Sequence, residues 1–476
     1  MTRYYLPALM LLCIVSARAE EPTPAAAGSQ VEPASEARDI GSRRELFVDD
    51  YLIERLQGVE QKMHRPEPRE VVIVCDAPWE GNTSAYYTLF ADGDRFRMYY
   101  RGEHFDVSTQ KAAHPEVTCY AESRDGIVWE KPKLGLFEFA GSKDNNIVHA
   151  GWGCHNFTPF KDTNPDCAPD ARYKALAGAG KPWGKGLQAY KSPDGLHWSL
   201  MREEPVITDG NFDSQNLAFW HPEQKCYLDF HRKSRSGARD IMTATSSDFL
   251  NWSQPVFLEY GAAPREHLYT NAIQPYFRAP HLFLGFPTRF QPVHEQVEPI
   301  LMSSRDGRNF HRWPEPLIPI TAPAERDGNR SNYMTWGLLA LPRSDRELSV
   351  YATERYYAGP GSRVRRFTFR TDGFVSLHAA ADEGEVITRP VVFQGRQLSL
   401  NYAARDGGGM RVELQDVGGK PLPGFALADC RALNADAIDQ VVAWNAGSDV
   451  APLAGKPVRI RFVLRNADLY ALKFGP

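Results

Sequence analysis

The sequence predicts an all-β chain, a five-bladed β-propeller followed by a C-terminal β-sandwich. Three observations predict it. A turn motif recurs five times, a short aromatic strand precedes each copy, and after the last copy the pattern changes to alternating strands set off by glycine-rich turns. Composition agrees. Gly (37) and Pro (35) supply many turns and aromatics make up 12% of the 476 residues, which favours strands over helices.

In chain order, residues 1–19 read as a secretory signal. Arg3 is the basic start, residues 6–15 are an apolar run, and Ala17-Arg18-Ala19 is a cleavage site. Residues 20–42 are rich in Pro, Ala, Glu and Ser with no apolar period, so they are expected to be a disordered linker. The propeller is expected over 43–376. Residues 44–53 (RELFVDDYLI) read as a strand, and its part from Leu46 to Ile53 is expected to close the ring with the last blade.

The turn motif is Ser/Thr-x-Asp-Gly-x-x-aromatic. It occurs at 123–129 (SRDGIVW), 192–198 (SPDGLHW), 246–252 (SSDFLNW, without the glycine), 304–310 (SRDGRNF) and, degenerate, 370–374 (RTDGF). The Asp-to-Asp spacings are 69, 54, 58 and 66 residues, room for four antiparallel strands each. Asp-Gly supplies a tight turn and the aromatic packs between sheets, so Trp129, Trp198 and Trp252 are assigned to the core. The preceding aromatic strands are 96–101 (FRMYYR), 173–177 (YKALA), 226–230 (CYLDF), 282–286 (LFLGF) and 348–353 (LSVYAT). After Gly373 the segments 398–402, 410–414, 458–464 and 468–474 alternate, with hairpin glycines at 407–409 and 418–419. They are read as a β-sandwich over 377–476.

A secreted five-bladed propeller with a C-terminal β-sandwich resembles the glycoside hydrolases of families 32 and 43, the invertase and arabinanase group. The likeness is one of architecture. The counterpart of the family 32 signature Trp-x-Asn-Asp-Pro is residues 47–51 (FVDDY), without its Asn and Pro, and the Arg-Asp-Pro and Glu-Cys motifs are absent. The resemblance implies a carbohydrate substrate and cleavage by paired carboxyl groups.

Ligands of a propeller bind where the inner strands converge, and each blade here begins with a polar break: 79–86 (WEGNTSAY), 154–159 (CHNFTP), 212–217 (FDSQNL), 266–272 (EHLYTNA) and 330–336 (RSNYMTW). The carboxylates among them are Glu80, Asp213 and Glu266. Asp213, beside hydrogen-bond donors, is expected to be the base or nucleophile. Glu266, flanked by His267 and Tyr269, is expected to be the acid, with Glu80 the third member of one cavity and Asp49 and Asp50 as further candidates. His155, Asn156, Gln215, Asn216, His267, Asn271 and Asn332 offer donors and acceptors suited to sugar hydroxyls, or to bonds between blades. Trp79, Trp152, Trp183, Tyr269 and Trp336 offer faces for sugar rings, and Arg289, Arg330 and Arg355 suit a uronate or sulfate.

A net charge of −4 (55 basic, 59 acidic residues) gives no basic nucleic-acid surface. No later segment has 18 consecutive apolar residues, so no membrane span is expected. No metal, nucleotide or cofactor motif is visible, and the string 178–184 (GAGKPWG) lacks the setting of a phosphate loop. There is no Cys-x-x-Cys. Cys154 and Cys167 bracket a loop and either pair or remain buried thiols. Three readings stand: a glycoside hydrolase, a non-catalytic glycan-binding propeller, and a polysaccharide lyase with His155 or Tyr269 as base.

Overall fold

The computed structural model describes residues 37–178, 186–293, 295–320 and 332–476. The expected signal segment, residues 20–36 of the linker, Trp183, Arg330 and most of the string 178–184 lie outside the described residues.

Five antiparallel sheets form the propeller, and the turn repeats mark them out. Blade one is Ala85–Asp92, Arg95–Gly102, Val117–Ser123 and Ile147–Ala150. Blade two is Thr158–Lys161, Tyr173–Ala177, Gln188–Ser192 and Ser199–Leu200. Blade three is Leu217–His221, Cys226–Arg235, Ala238–Ser246 and Val256–Phe257. Blade four is Gln274–Tyr276, Ala279–Gly285, Gln296–Ser304 and Phe310–Pro316, extended by His267–Leu268 and Thr288–Gln291. Blade five is Leu339–Ala340, Glu347–Glu354 and Arg363–Arg370, with Glu67–Val74 as its outer strand.

Ring closure therefore falls to Glu67–Val74, not to residues 44–53. Those residues form the short strand Arg44–Leu46 and a bend that leads into Ile53–Gln57, and they pack between the C-terminal domain and blades four and five. The reason is burial. Phe47 and Leu52 point into the C-terminal core beside Val386, Leu400 and Phe462. That domain takes strands from both ends of the described chain. Its eight-stranded sheet joins Arg44–Leu46, Ile53–Gln57 and Glu60–Met63 to the long strands Gln397–Gln415 and Arg459–Gly475. Arg38–Gly41, within the expected linker, pairs in parallel with Val391–Phe393.

Four of the five repeat turns share one pattern of serine and aspartate hydrogen bonds, and the three that end in tryptophan add a bond from its ring. In the second, Ser192 Oγ accepts from the amide of Gly195 at 2.8 Å, Asp194 Oδ1 accepts from those of Leu196 and His197 at 2.8 and 2.9 Å, and Trp198 Nε1 donates back to the Gly195 carbonyl. Gly195 has φ +79°, and an added Cβ would lie 2.6–2.7 Å from Arg97 and Tyr99 of blade one. Phe249 takes the same backbone at φ 69° in the third turn, where its ring is fully buried against Phe160, Tyr227 and Trp252. Burial of a phenylalanine, about 2–3 kcal/mol, outweighs the 1–2 kcal/mol cost of the left-handed backbone.

The fifth copy departs from the pattern for a reason of position. Asp372 is buried between Arg44 (3.1 Å) and Arg278 (2.9 Å), tying the propeller to the C-terminal domain. Beside it Glu45, also buried, faces Arg305 at 2.8 Å and His281 at 3.2 Å. Burial opposes ionisation of Glu45, but His281 and Arg305 outweigh it and hold the carboxyl down at about 2. Asp49 is the second partner of Arg305, so its role is at this junction. All six cysteines of the described residues are free thiols, Cys154 and Cys167 included. Among the described residues no helix is long and apolar enough to cross a membrane.

Candidate functional site

In each blade the second strand ends where the first begins, so these two termini meet at one end of the axis. Two arginines near the ends of second strands, Arg101 and Arg232, stand there. Arg101 donates to the Thr83 carbonyl at 2.8 Å and to Tyr356 Oη at 3.1 Å, and faces Glu103 at 3.3 Å and Glu116 at 3.8 Å. His155 Nδ1 lies 2.7 Å from Glu116 and 3.1 Å from Arg101. From blade three, Arg232 pairs with Asp213 and lies 4.7 Å from the centre of the Tyr269 ring.

Tyrosines join these groups into one wall. Tyr86 donates to the Asp213 carbonyl at 3.3 Å, its ring meets His155 at 5.6 Å, and Arg101 lies over it at 5.0 Å. Tyr269, Tyr333, Tyr356 and Tyr357 follow edge to face at 5.7, 5.5 and 4.7 Å. Of these tyrosines, Tyr86, Tyr333 and Tyr356 line a narrow cleft together with Gln215, Thr270 and Thr335. Burial, reinforced by neighbouring phenols, pushes Tyr86 and Tyr333 well up. Burial does the same to Tyr356 against the pull of Arg101. These phenols are neutral hydrogen-bond donors rather than bases at ordinary pH. Burial works against the Arg232 charge, but Asp213 and the tyrosines outweigh it and the guanidinium stays charged.

Two features mark the cleft as a place for a ligand. Arg232 Nη1 and Thr335 Oγ1 are buried without a hydrogen-bond partner among the described residues, a cost of about 1–3 kcal/mol each that an incoming acceptor removes. Left-handed backbone also clusters here in residues other than glycine: Tyr86 (φ 56°), in a bulge between Ala85 and Thr88, Ala272 (φ 43°), Arg355 (φ 61°) and Tyr357 (φ 61°). Such strain persists where surrounding packing imposes it to aim particular side chains.

The three carboxylates expected in one cavity are not brought together. Asp213 is at the mouth, its side chain 47% exposed. The Glu80 side chain is fully buried inside blade one, held by Lys131 at 2.6 Å, Tyr100 Oη and the Ala77 amide. Glu266 has both oxygens on guanidinium groups, Arg289 and Arg312, each at 3.0 Å, and lines a separate cleft with Arg235 and Asp240. Its place at the end of a long connection, rather than in the inner strand, carries it off the axis.

Most of the polar breaks are used on backbone carbonyls, between blades for Asn156, Gln215 and Asn271 and within one blade start for Asn216. Asn156 donates to the Phe212 and Ser214 carbonyls, as does Asn216. Gln215 reaches Tyr87 and Thr88 across the axis, although it also lines the cleft. Asn271 donates to the Phe230 carbonyl, and Asn332 is buried and donates towards the Pro319 carbonyl. His155 is at the mouth, and His267 holds the edge beside Arg239. Trp336 lies at the opposite opening, an apolar cleft shared with Leu89, Phe219, Trp220 and Leu338 at the far ends of the inner strands. Trp79 is bound to Asn146 within blade one. Sequence reasoning missed Arg101, Glu103, Glu116, Arg232, Tyr333, Tyr356 and Tyr357. A signal for part of this set was present: Arg101 stands in the last two residues of a second strand, and Arg232 three residues before the end of another.

No family model matches the chain, and no curated protein matches it. Solved structures with a similar backbone course include three sugar-active proteins. One is an N-acetylgalactosamine deacetylase from F. plautii in complex with blood group B trisaccharide (10% identity, 67% of this chain and 97% of that one, TM-score 0.46). Another is a GH32 β-fructofuranosidase of Bombyx mori (10% identity, 87% and 94%, TM-score 0.39). The third is an endo-arabinase of Bacteroides thetaiotaomicron (9% identity, 63% and 98%, TM-score 0.40).

Proposed function

We propose that the protein is an exported carbohydrate-active enzyme that cleaves glycosidic bonds of an oligo- or polysaccharide bound at the axial mouth. The observation that carries this reading is the meeting, around Tyr86 at one end of the axis, of a half-exposed carboxylate and a histidine–glutamate pair, beside a narrow cleft walled by neutral tyrosines. Tyrosine faces and phenol donors suit sugar rings and hydroxyls.

In this reading Asp213 is the base or nucleophile at the anomeric carbon, oriented by Arg232. The Glu116–His155 pair supplies the proton to the leaving oxygen, and Tyr86, which touches both Asp213 and His155, sets the ring between them. The Arg101–His155 contact favours a second reading, elimination from a uronate. There His155 takes the proton beside the carboxylate, the electron pair forms a carbon–carbon double bond as the carbon–oxygen bond to the leaving sugar breaks, and that oxygen takes a proton back from His155 and departs as an alcohol.

The test is a polysaccharide panel assayed with the purified full chain for new reducing ends and for ultraviolet-absorbing unsaturated ends. Hydrolysis gives the first alone and elimination gives both. Asp213→Asn is expected to abolish hydrolysis. Full activity in Asp213→Asn, or no cleavage across the panel by the wild type, overturns the proposal.

A further inference from the structure

Arg239 is a cation beside the mouth that the cleavage chemistry does not use. Arg239 opens the strand Ala238–Ser246 and is half-buried. Its guanidinium lies 5.1 Å from the centre of the Tyr269 ring and 4.8 Å from that of Phe290, and its Nη1 donates weakly to His267 Nδ1 at 3.4 Å. Among the described residues no carboxylate pairs with it. Its neighbours are all neutralised: Arg232 by Asp213, Arg235 by Asp240 and Glu259, Arg289 by Glu266 and Glu298. Burial and the Arg239 charge both push His267 down, so the imidazole adds no charge of its own.

Tyr269 thus carries two guanidinium groups, Arg232 and Arg239, with one carboxylate between them, and Arg232 Nη1 still lacks an acceptor. A guanidinium held against rings and stripped of part of its water keeps its edge donors for a planar or tetrahedral oxyanion. A neutral sugar leaves that charge without a partner.

We propose that the mouth selects a saccharide bearing an anionic substituent, a carboxylate or a sulfate ester, and that Arg239 is the residue that reads it, with Arg232 Nη1 as the second donor. This rests on the reading that the mouth binds carbohydrate. Arg239 is a specificity determinant and takes no part in bond cleavage.

The experiment uses two matched pairs with the full chain. Oligogalacturonides are compared with their carboxyl-reduced forms, and sulfated galactan oligosaccharides with their desulfated forms, by calorimetry and by kcat/KM. The anionic member of one pair is expected to be favoured about tenfold or more, the scale of a charge-assisted contact; which pair responds identifies the group. Arg239→Gln is expected to erase that preference and Arg239→Lys to keep part of it. Equal or better use of the neutral members, or a preference that survives Arg239→Gln, overturns the inference. Use of neutral members alone overturns this inference and leaves the carbohydrate reading standing; failure of all four probes overturns this inference too, and only absence of cleavage across the polysaccharide panel removes the carbohydrate reading. The matched pairs need only the wild-type protein, so the outcome does not depend on the variants folding.

Discussion

The repeat turns on the blades and the axial mouth draw on the same side chains, aspartate, tyrosine and arginine, and put them to opposite uses. At the turns each carboxylate has one oxygen answered within three residues, although Asp125 also pairs through its second oxygen with Arg343. Asp125, Asp194, Asp248 and Asp306 accept from the next two or three backbone amides and from the serine two places before. At the mouth Asp213 is answered by Arg232 from the next strand, and Arg101 by Tyr356 from another blade. Local closure spends a polar group on structure. Distant closure leaves polar groups facing a cleft, two of them without partners.

If that contrast is right, changes at the mouth alter chemistry and changes at the turns alter stability. The largest effect is expected for Asp213→Asn, a loss of roughly a thousandfold in kcat/KM, the scale of one acid–base or nucleophilic group, with a urea midpoint close to that of the wild type because the side chain is half exposed. Glu80→Gln should do the reverse. Removing the buried partner of Lys131 is expected to cost about 3 kcal/mol of stability, read by urea unfolding, while cleavage by the folded fraction persists. Gly195→Ala forces a Cβ into Arg97 and Tyr99 at positive φ and should cost about 2–4 kcal/mol, again without a change in kcat.

A smaller effect is expected at the Asp248 turn. Burial there opposes ionisation, but the amides of Asn251 and Leu250 and the Asn251 side chain outweigh it and hold the carboxyl down at about 2. A lowered folded-state value means that the stabilisation is present above the ordinary aspartate range near 4 and is lost as the pH falls through about 2. Acid unfolding monitored from pH 5 to 2 should therefore be shallower in Asp248→Asn, and an identical acid limb would contradict the turn assignment. The smallest effect is expected at the apolar opening. Phe277→Ser, at an exposed position, should leave kcat/KM within about twofold, and a large loss would move the site to that end.

The same contrast decides what could be read in advance. The five blades were legible because Ser-x-Asp-Gly turns and aromatic strands are local patterns with a fixed period. The ring closure was not, because residues 44–53 and Glu67–Val74 are both strand-like, and only burial of Phe47 and Leu52 in the C-terminal core separates them. Asp213 and His155 were legible as polar residues at blade starts. Asn156, Asn216 and Asn271 looked alike in sequence, yet each is used on backbone carbonyls. Arg101, Glu116 and Tyr356 reach the mouth from second strands and loops, and their meeting depends on the closed ring.

The most direct test of the central claim is a crystal structure of Asp213→Asn with an oligosaccharide that the wild type cleaves. The account predicts a sugar ring seated between Tyr86, Tyr269, Tyr333 and Tyr356, with an oxygen within hydrogen-bond distance of Arg232 Nη1. A sugar bound instead at the apolar opening beside Trp220 and Trp336, or on the C-terminal domain, would contradict it.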